Sequence, residues 1–178
     1  MENQSAGKEE SLNAIQGIIV RPAIAADLPS IARLAVMLVR IHHEFDALRF
    51  ISATPATERG YREFLGSQLT NASSIVSVAE RNGEVLGYTY AGLEGWDYMT
   101  LRAPAGMLHD ILVDPAHRGQ GIGHLLLAAT IAELKLRGAP RVVLSTASQN
   151  KGAQRLFAAA GFRSTMIEMT RELDDDAY

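Results

Sequence analysis

The stretch that decides the fold runs from Asp110 to Leu126 and reads Asp-Ile-Leu-Val-Asp-Pro-Ala-His-Arg-Gly-Gln-Gly-Ile-Gly-His-Leu-Leu. An apolar, strand-like run over 107–113 stops at Asp114-Pro115, a turn with three glycines follows, and helical periodicity then continues to Gly138. The first N–H groups of a helix lack partners within it and lie at the positive end of its dipole. A strand, a glycine-rich turn and a helix in this order therefore predict an anion site that favours phosphate or pyrophosphate.

The spacing of the glycines distinguishes between phosphate-binding patterns. A P-loop needs Gly-Lys-Ser/Thr, but no lysine lies between Glu9 and Lys135. A dinucleotide fingerprint needs G-x-G-x-x-G, whereas this turn reads G-x-G-x-G. The pattern Arg118-x-x-Gly121-x-Gly123 resembles the pyrophosphate-binding signature of the GCN5-related N-acetyltransferase (GNAT) superfamily. For this motif alone, the alternative is a tight turn that feeds an ordinary helix.

Composition bounds the class of protein. The 178 residues are 47% hydrophobic and 21% charged, as in one globular domain with a sizeable core. The net charge of −3 argues against a nucleic-acid partner. No apolar stretch has the length of a membrane span, and the polar start lacks the apolar centre of a signal peptide. The lack of cysteine excludes disulfides, zinc–thiolate sites and thiol nucleophiles. We expect a cytoplasmic protein with no metal site and no membrane partner.

The pattern of elements predicts an α/β fold in the order β-α-α-β-β-β-α-β-α-β. Residues 1–17 are expected to form a flexible leader, 18–173 the domain and 174–178 a frayed tail. Asp27 is the candidate N-cap of the first helix, and Asn82-Gly83 is a strong hairpin signal. Further strands are predicted at 18–22, 74–80, 84–91, 141–145 and 164–172, and further helices at 56–69 and 151–160. The GNAT fold has this order, so the resemblance implies a mixed central sheet of six to seven strands, flanked by about four helices and splayed between strands 4 and 5.

A second signature lies near the end of the chain and reads Asn150-x-x-Ala153-x-x-Leu156-Phe157-x-x-x-Gly161-Phe162. It resembles the closing helix of the GNAT superfamily. The apolar positions share one helical face, and Phe162 can fold back onto that face after a left-handed Gly161. Two motifs in the right order and at the right separation make the resemblance much stronger than either motif alone.

The resemblance implies that acetyl-CoA is the acetyl donor and lies in the cleft between the splayed strands. The pantetheine arm would pair with Ile111, Leu112 and Val113, whose N–H groups can also hold the thioester carbonyl. An ordinary, fully paired strand is the alternative for these three residues. Asn150 would bind the pantetheine arm, cap its helix, or do both. The pyrophosphate would be cradled by the turn and the helix start, which are Arg118, Gly119, Gln120, Gly121, Ile122, Gly123 and His124.

The candidate catalytic residues are His109 and Asp110. An amine acceptor must be neutral to react, and a lysine-like amine costs roughly 4–5 kcal/mol to deprotonate at pH 7. The positions where histone-type and ribosomal-protein acetyltransferases carry their bases align with Met107 and Ser145, which cannot serve. Histidine at position 109 resembles the arylalkylamine acetyltransferases, where it serves a proton path through water. Strand alternation places His109 and Asp110 on opposite faces unless a bulge intervenes, and a histidine with a purely structural role is the alternative.

The sequence gives weaker evidence for the general acid and for the residues that line the acceptor site. Relatives commonly carry tyrosine where this chain has Phe157, so the acid stays unassigned, with Tyr88, Tyr90 and Tyr98 as substitutes. Because a thiol with pKa near 8.5 leaves tolerably as the anion, this loss is survivable. The segments 42–46 and 96–98 carry aromatic and acidic side chains that suit an ammonium group. A solvated helix end and a surface loop are the alternative for them.

The resulting hypothesis is an acyltransferase that moves acetyl from acetyl-CoA to a primary amine by direct attack, without an acyl-enzyme. The acceptor is a small-molecule amine or a protein N-terminal or lysine amine, and the sequence does not choose among them. The first alternative is a non-catalytic CoA or acetyl-CoA-binding sensor or assembly module, favoured by Met107, Ser145 and Phe157. The second is an enzyme with a different phosphate ligand. The oligomeric state stays open, with a homodimer among the options.

Overall fold

The computed structural model describes residues 17–173, so the predicted leader up to residue 16 and the tail at 174–178 lie outside the described residues. Over the described part, no helix has the length and apolar character needed to cross a bilayer. The strands are β1 (Ile19–Pro22), β2 (Ser74–Arg81), β3 (Glu84–Glu94), β4 (Ala105–Val113) and β5 (Val142–Leu144). The α-helices are α1 (Leu28–Phe45), α2 (Pro55–Gln68), α3 (Ile122–Leu136) and α4 (Lys151–Ala159).

The five strands form one mixed sheet in the order β1-β2-β3-β4-β5. The first three pairings are antiparallel, and β4 pairs with β5 in parallel. Asn82 and Gly83 both have positive φ, 54° and 83°, as the two-residue β2–β3 hairpin requires. The predicted hairpin is therefore confirmed.

Two hydrophobic layers cover the sheet. On one face α1 and α2 bury Ile31, Leu34 and Leu65 against Val78 and Leu112. On the other face α3 and α4 bury apolar side chains against a different set of strand residues, which includes Ile75, Ala79, Leu86, Ala91 and Leu108. Because both faces are covered, the central strands are apolar over most of their length rather than strictly alternating.

The predicted count of six to seven strands is wrong for the described residues, which form five. The missing strand was expected at 164–172, and this segment has no regular structure. Its residues are exposed, and Met166, Ile167 and Met169 are each more than 70% exposed. A strand needs a neighbour for its backbone groups, and alternating sequence without a paired edge does not supply one.

Asp27 does not cap α1 through its side chain as predicted. Its carboxylate instead accepts two hydrogen bonds from the Arg21 guanidinium, at 2.7 and 2.9 Å, and one from the Ile24 amide. A bidentate charged partner binds a carboxylate more strongly than an N-terminal amide does. The buried Asp27 therefore ties β1 to the turn before α1.

Candidate active site

A β-bulge in β4 sets the geometry of the site. Tyr90 lies opposite Asp110 in the β3–β4 pairing, but Ala91 lies opposite Leu108, so His109 has no partner across the strand. The extra residue reverses the alternation: Leu108 packs under α3 and α4, whereas Leu112, four residues on, packs under α1 and α2. Consequently His109 and Asp110, which a regular strand would place on opposite faces, both line the same two cavities.

The His109 imidazole is held by an aromatic ring and a carboxylate. It stacks on Tyr90 with ring centroids 4.8 Å apart, and its Nε2 atom lies 3.2 Å from Oε1 of Glu94. The other oxygen of Glu94 accepts a 2.5 Å hydrogen bond from Nη2 of Arg102, whose side chain is largely buried. The negative Glu94 favours a proton on Nε2, so the lone pair lies on Nδ1, which makes no hydrogen bond within residues 17–173.

Asp110 lies between two tyrosines. The Tyr88 hydroxyl donates a 2.9 Å hydrogen bond to Oδ2 of Asp110. Burial raises the pKa of Asp110, and the Tyr88 hydrogen bond opposes that shift. Burial, together with the Asp110 charge, raises the pKa of Tyr61 to about 12 and that of Tyr88 well above its ordinary value. Both phenols therefore stay protonated at neutral pH and act as hydrogen-bond donors.

Two cavities meet at Tyr61, His109 and Asp110. The first, about 260 Å³, extends between the end of β5 and the start of α4, where Ser145, Thr146, Asn150, Ala153 and Phe157 line it. The second, about 390 Å³, opens along α2 and is otherwise lined by Gly60, Phe64 and Tyr90. A molecule in each cavity would thus bring its reactive end to the same three side chains.

The glycine-rich turn presents unbonded amides, as an anion site requires. Within residues 17–173, none of the backbone N–H groups of residues 119–123 makes a hydrogen bond. Gly119 and Gly121 have positive φ, 78° and 79°, and Gly121 forms the N-cap of α3. The His124 amide is already used, because it donates to the Gly121 carbonyl at 3.0 Å. Side chains without glycine's freedom would be strained in this turn.

The sheet opens beside this turn. β4 pairs with β5 only at Gly106, Met107 and Leu108, and it then continues to Val113 without that neighbour. The Asp114 amide donates to the Leu86 carbonyl of β3 at 2.8 Å. Because backbone groups alternate in direction along a strand, those of Leu112 also face β3, and those of Ile111 and Val113 face the open side. The Val113 carbonyl accepts a 3.3 Å hydrogen bond from Nε of Arg118.

The second motif folds as its pattern indicates. Oδ1 of Asn150 accepts the Ala153 amide at 3.1 Å, which caps α4. Gly161 has φ +87°, and the Phe162 amide donates to the Phe157 carbonyl at 3.0 Å, as in a Schellman motif. The ring centroids of Phe157 and Phe162 lie 5.8 Å apart. Phe157 is thereby fixed with its ring against the first cavity, to which it presents no hydroxyl.

Comparison with known proteins agrees with this geometry. Residues 39–162 match the family model described as the acetyltransferase (GNAT) family. The chain belongs to this GNAT family. The prediction of an acyltransferase of this superfamily is thus confirmed at the level of the family, and relatives carry names of acetyltransferases.

Similar proteins differ in what their names say they act on. Over 96 residues the chain is 33% identical to a mycothiol acetyltransferase of Thermobispora bispora, covering 52% of this chain and 31% of that one. Over 94 residues it is 35% identical to the L-methionine sulfoximine/L-methionine sulfone acetyltransferase of Salmonella typhimurium, covering 51% of each chain. Human N-acetyltransferase 8 is 30% identical over 128 residues, covering 68% of this chain and 56% of that one. The chain thus spans about half or less of the length of the first two relatives.

Solved structures share the whole fold. A tetramutant of the BH1408 protein from Bacillus halodurans superposes with a TM-score of 0.74 at 23% identity, covering 87% of this chain and 99% of that one. A GCN5-related N-acetyltransferase from Ralstonia eutropha JMP134 gives a TM-score of 0.66 at 27% identity, covering 88% and 99%. The likeness therefore extends well beyond the two motifs.

Some residues that the sequence indicated for the acceptor lie elsewhere in this GNAT domain. Trp96 and Tyr98 stack on each other and are 67% and 75% exposed, and neither lines the two cavities. His42 does line the first cavity, with Nδ1 bonded to the Leu38 carbonyl. Tyr61 was missed by the sequence reasoning. Its spacing from Phe64 and Leu65 marks one face of α2, but only packing shows that this face borders Asp110.

Proposed function

We propose that this GNAT domain transfers acetyl from acetyl-CoA to a primary amine by direct attack. The observation that carries the proposal is the meeting of two cavities at Tyr61, His109 and Asp110. One cavity lies beside the open end of β4 and the unbonded turn, where an acetyl donor would bind. The other opens to solvent along α2 and is available to an acceptor. The two reactants would approach a shared proton acceptor from opposite sides.

The described residues fit coenzyme A. Five consecutive unbonded amides at the start of α3 and the Arg118 guanidinium supply donors for a diphosphate. The backbone groups of Ile111 and the Val113 amide, which face the open side of β4, offer a strand edge to an amide-bearing arm. Asn150 uses only its oxygen in capping α4, so its NH2 group remains available to the same arm. When bound, acetyl-CoA supplies a thioester carbonyl, and a new C–N bond forms as its C–S bond breaks.

His109 is the proposed base. The acceptor enters largely as an ammonium ion, and removing its proton at neutral pH costs roughly 4–5 kcal/mol for a lysine-like amine. Glu94 and Tyr90 hold the imidazole so that Nδ1 can take that proton. Arg102 fixes Glu94 from behind. A positioned base of this kind accelerates proton transfer by about 10²- to 10⁴-fold.

The test is turnover of acetyl-CoA with a panel of primary amines. Release of CoA thiol should depend on the amine, and mass spectrometry should show one added acetyl group on the acceptor. Calorimetric titration with CoA, ATP and NAD should give tight binding of CoA alone. Tight binding of ATP or NAD without CoA would replace this proposal with an enzyme of a different phosphate ligand.

One observation favours a second candidate function, a CoA-binding module without catalysis. Phe157 fills the position against the first cavity where a hydroxyl would protonate the leaving thiolate. Such a module would bind CoA tightly and release no thiol with any amine. Measuring binding and turnover on the same preparation separates the two functions.

A further inference from the structure

The second cavity has a composition that selects among amines. Its walls are three aromatic side chains, Tyr61, Phe64 and Tyr90. Among the described residues 17–173, His109 and Asp110 are the only charged or titratable groups besides phenols that line it. Over the described part of the chain, no lysine and no arginine lines either cavity. A cationic ligand therefore meets one carboxylate and several ring faces, whereas a ligand carboxylate finds no cation.

The rings are ordered by contacts with each other. Phe64 meets Tyr90 edge to face with centroids 5.5 Å apart, and Tyr90 stacks on His109 at 4.8 Å. Phe64 is nonetheless 48% exposed, because the row of rings opens outward along α2. An apolar group that continues from the reacting nitrogen would cover this exposed ring.

Asp110 keeps one oxygen for a ligand. Oδ2 accepts the Tyr88 hydroxyl at 2.9 Å, while Oδ1 makes no hydrogen bond within residues 17–173. Glu94 is already shared between His109 and Arg102, so Asp110 is the carboxylate that keeps an oxygen for a ligand. The negative charge of Asp110 attracts an ammonium group and repels a carboxylate that lies next to the nitrogen.

We propose that the acceptor is a small primary amine with an apolar substituent and no carboxylate beside its nitrogen, bound with its ammonium on Asp110 and its apolar group on Phe64 and Tyr90. This specificity rests on the proposed function, and it separates this chain from an amino-acid acetyltransferase. The deciding feature is the lack of a cation opposite the carboxylate that a free amino acid would carry.

The test compares three acceptors that share one side chain: 3-methylbutylamine, L-leucinamide and L-leucine. With acetyl-CoA saturating, we expect kcat/KM for the first two to exceed that for L-leucine by about 100-fold, since a buried carboxylate would face Asp110 unpaired. Equal or better use of L-leucine would overturn the specificity while leaving the acetyl transfer intact. Failure with all three, together with no turnover on a broader amine panel, would instead overturn the proposed function.

Two variants locate the effect. Phe64→Ala should raise KM for 3-methylbutylamine by about 3- to 10-fold and leave KM for acetyl-CoA unchanged, because Phe64 lines only the second cavity. Tyr98→Ala is the matched control, since it removes an exposed aromatic ring that lines neither cavity. Asp110→Asn should reduce the preference for the amine over L-leucine by about 10-fold or more. An unchanged preference in Asp110→Asn would overturn the assigned ammonium contact.

Discussion

Oε1 of Glu94 lies 3.2 Å from Nε2 of His109, and the second oxygen of the same carboxylate is bonded to Arg102. Contacts thus connect the largely buried Arg102 through Glu94 to His109, which lines the cavity. Glu94 lies at the end of β3 and His109 at the bulge of β4, so their contact exists because the two strands are neighbours. This relationship gives His109 a fixed orientation.

Removing His109 should therefore affect turnover and not cofactor binding. We expect His109→Ala to lower kcat by about 10²- to 10⁴-fold, and Glu94→Gln to lower it by about 10- to 100-fold through misorientation of the ring. The Kd for CoA should be unchanged in both variants. Glu133→Gln is the matched control, because Glu133 has the same 37% side-chain exposure and pairs with Arg137 at the end of α3. An unaltered kcat in His109→Ala would remove this residue as the base.

Loss of the Arg118 charge should weaken cofactor binding. We expect Arg118→Gln to raise the Kd for CoA by about 10-fold, the loss of a hydrogen bond between charged groups, with little change in kcat at saturation. Arg141→Gln serves as the control, because Arg141 is exposed and lies just before β5. This part of β5 pairs with the start of β4, whereas the turn follows the other end of β4. Calorimetric titration provides both values. Equal Kd values in the two variants would place the diphosphate elsewhere.

A hydroxyl introduced at position 157 tests whether the lack of a general acid there limits the rate. Phe157 lines the first cavity and is only 6% exposed, so a tyrosine there would place its hydroxyl where thiolate leaves. We expect Phe157→Tyr to raise kcat by about 10-fold, below the usual range of about 10²- to 10⁴-fold for a general acid, because a thiolate leaves tolerably without one. Phe162→Tyr is the control, because Phe162 packs on Phe157 without lining the cavity. A kcat that stays constant would show that departure of the thiolate does not limit the rate.

Stability in acid should depend on Asp27. The hydrogen bonds from Arg21 lower the pKa of Asp27 in the folded state, so its stabilising contribution is complete above the unfolded pKa of about 3.9 and is lost as pH falls through the folded value. We expect Asp27→Asn to cost about 3 kcal/mol in unfolding free energy at pH 7, and much less near pH 2. Urea denaturation at the two pH values measures this difference.

The control for this measurement is Glu84→Gln, at an exposed hairpin residue. Its stability should follow the wild type at both pH values. A cost for Asp27→Asn that is the same at pH 2 and pH 7 would contradict the role of the Arg21 pair.

Much of the domain could be predicted from local pattern. The hairpin at Asn82-Gly83, the Asn150 cap and the left-handed Gly161 each depend on a few neighbouring residues, and each is present. The segment 164–172 has the alternation of a strand but no paired neighbour, so the local pattern misled there. Asp27 likewise has the residue type of a cap, but Arg21 on β1 takes its carboxylate.

By itself, the sequence carried the two motifs that resemble the GNAT superfamily. It also located the phosphate-type turn, because glycine spacing and helix periodicity act over a few residues. It also identified His109 and Asp110 as the candidate pair. Only the tertiary structure decided that both line one site, since the bulge at His109 is visible only in the register of β4 against β3. The same holds for Glu94, for Tyr61 and for the row of rings that Phe64, Tyr90 and His109 form. These residues are distant in sequence, and packing of strands and helices brings them together.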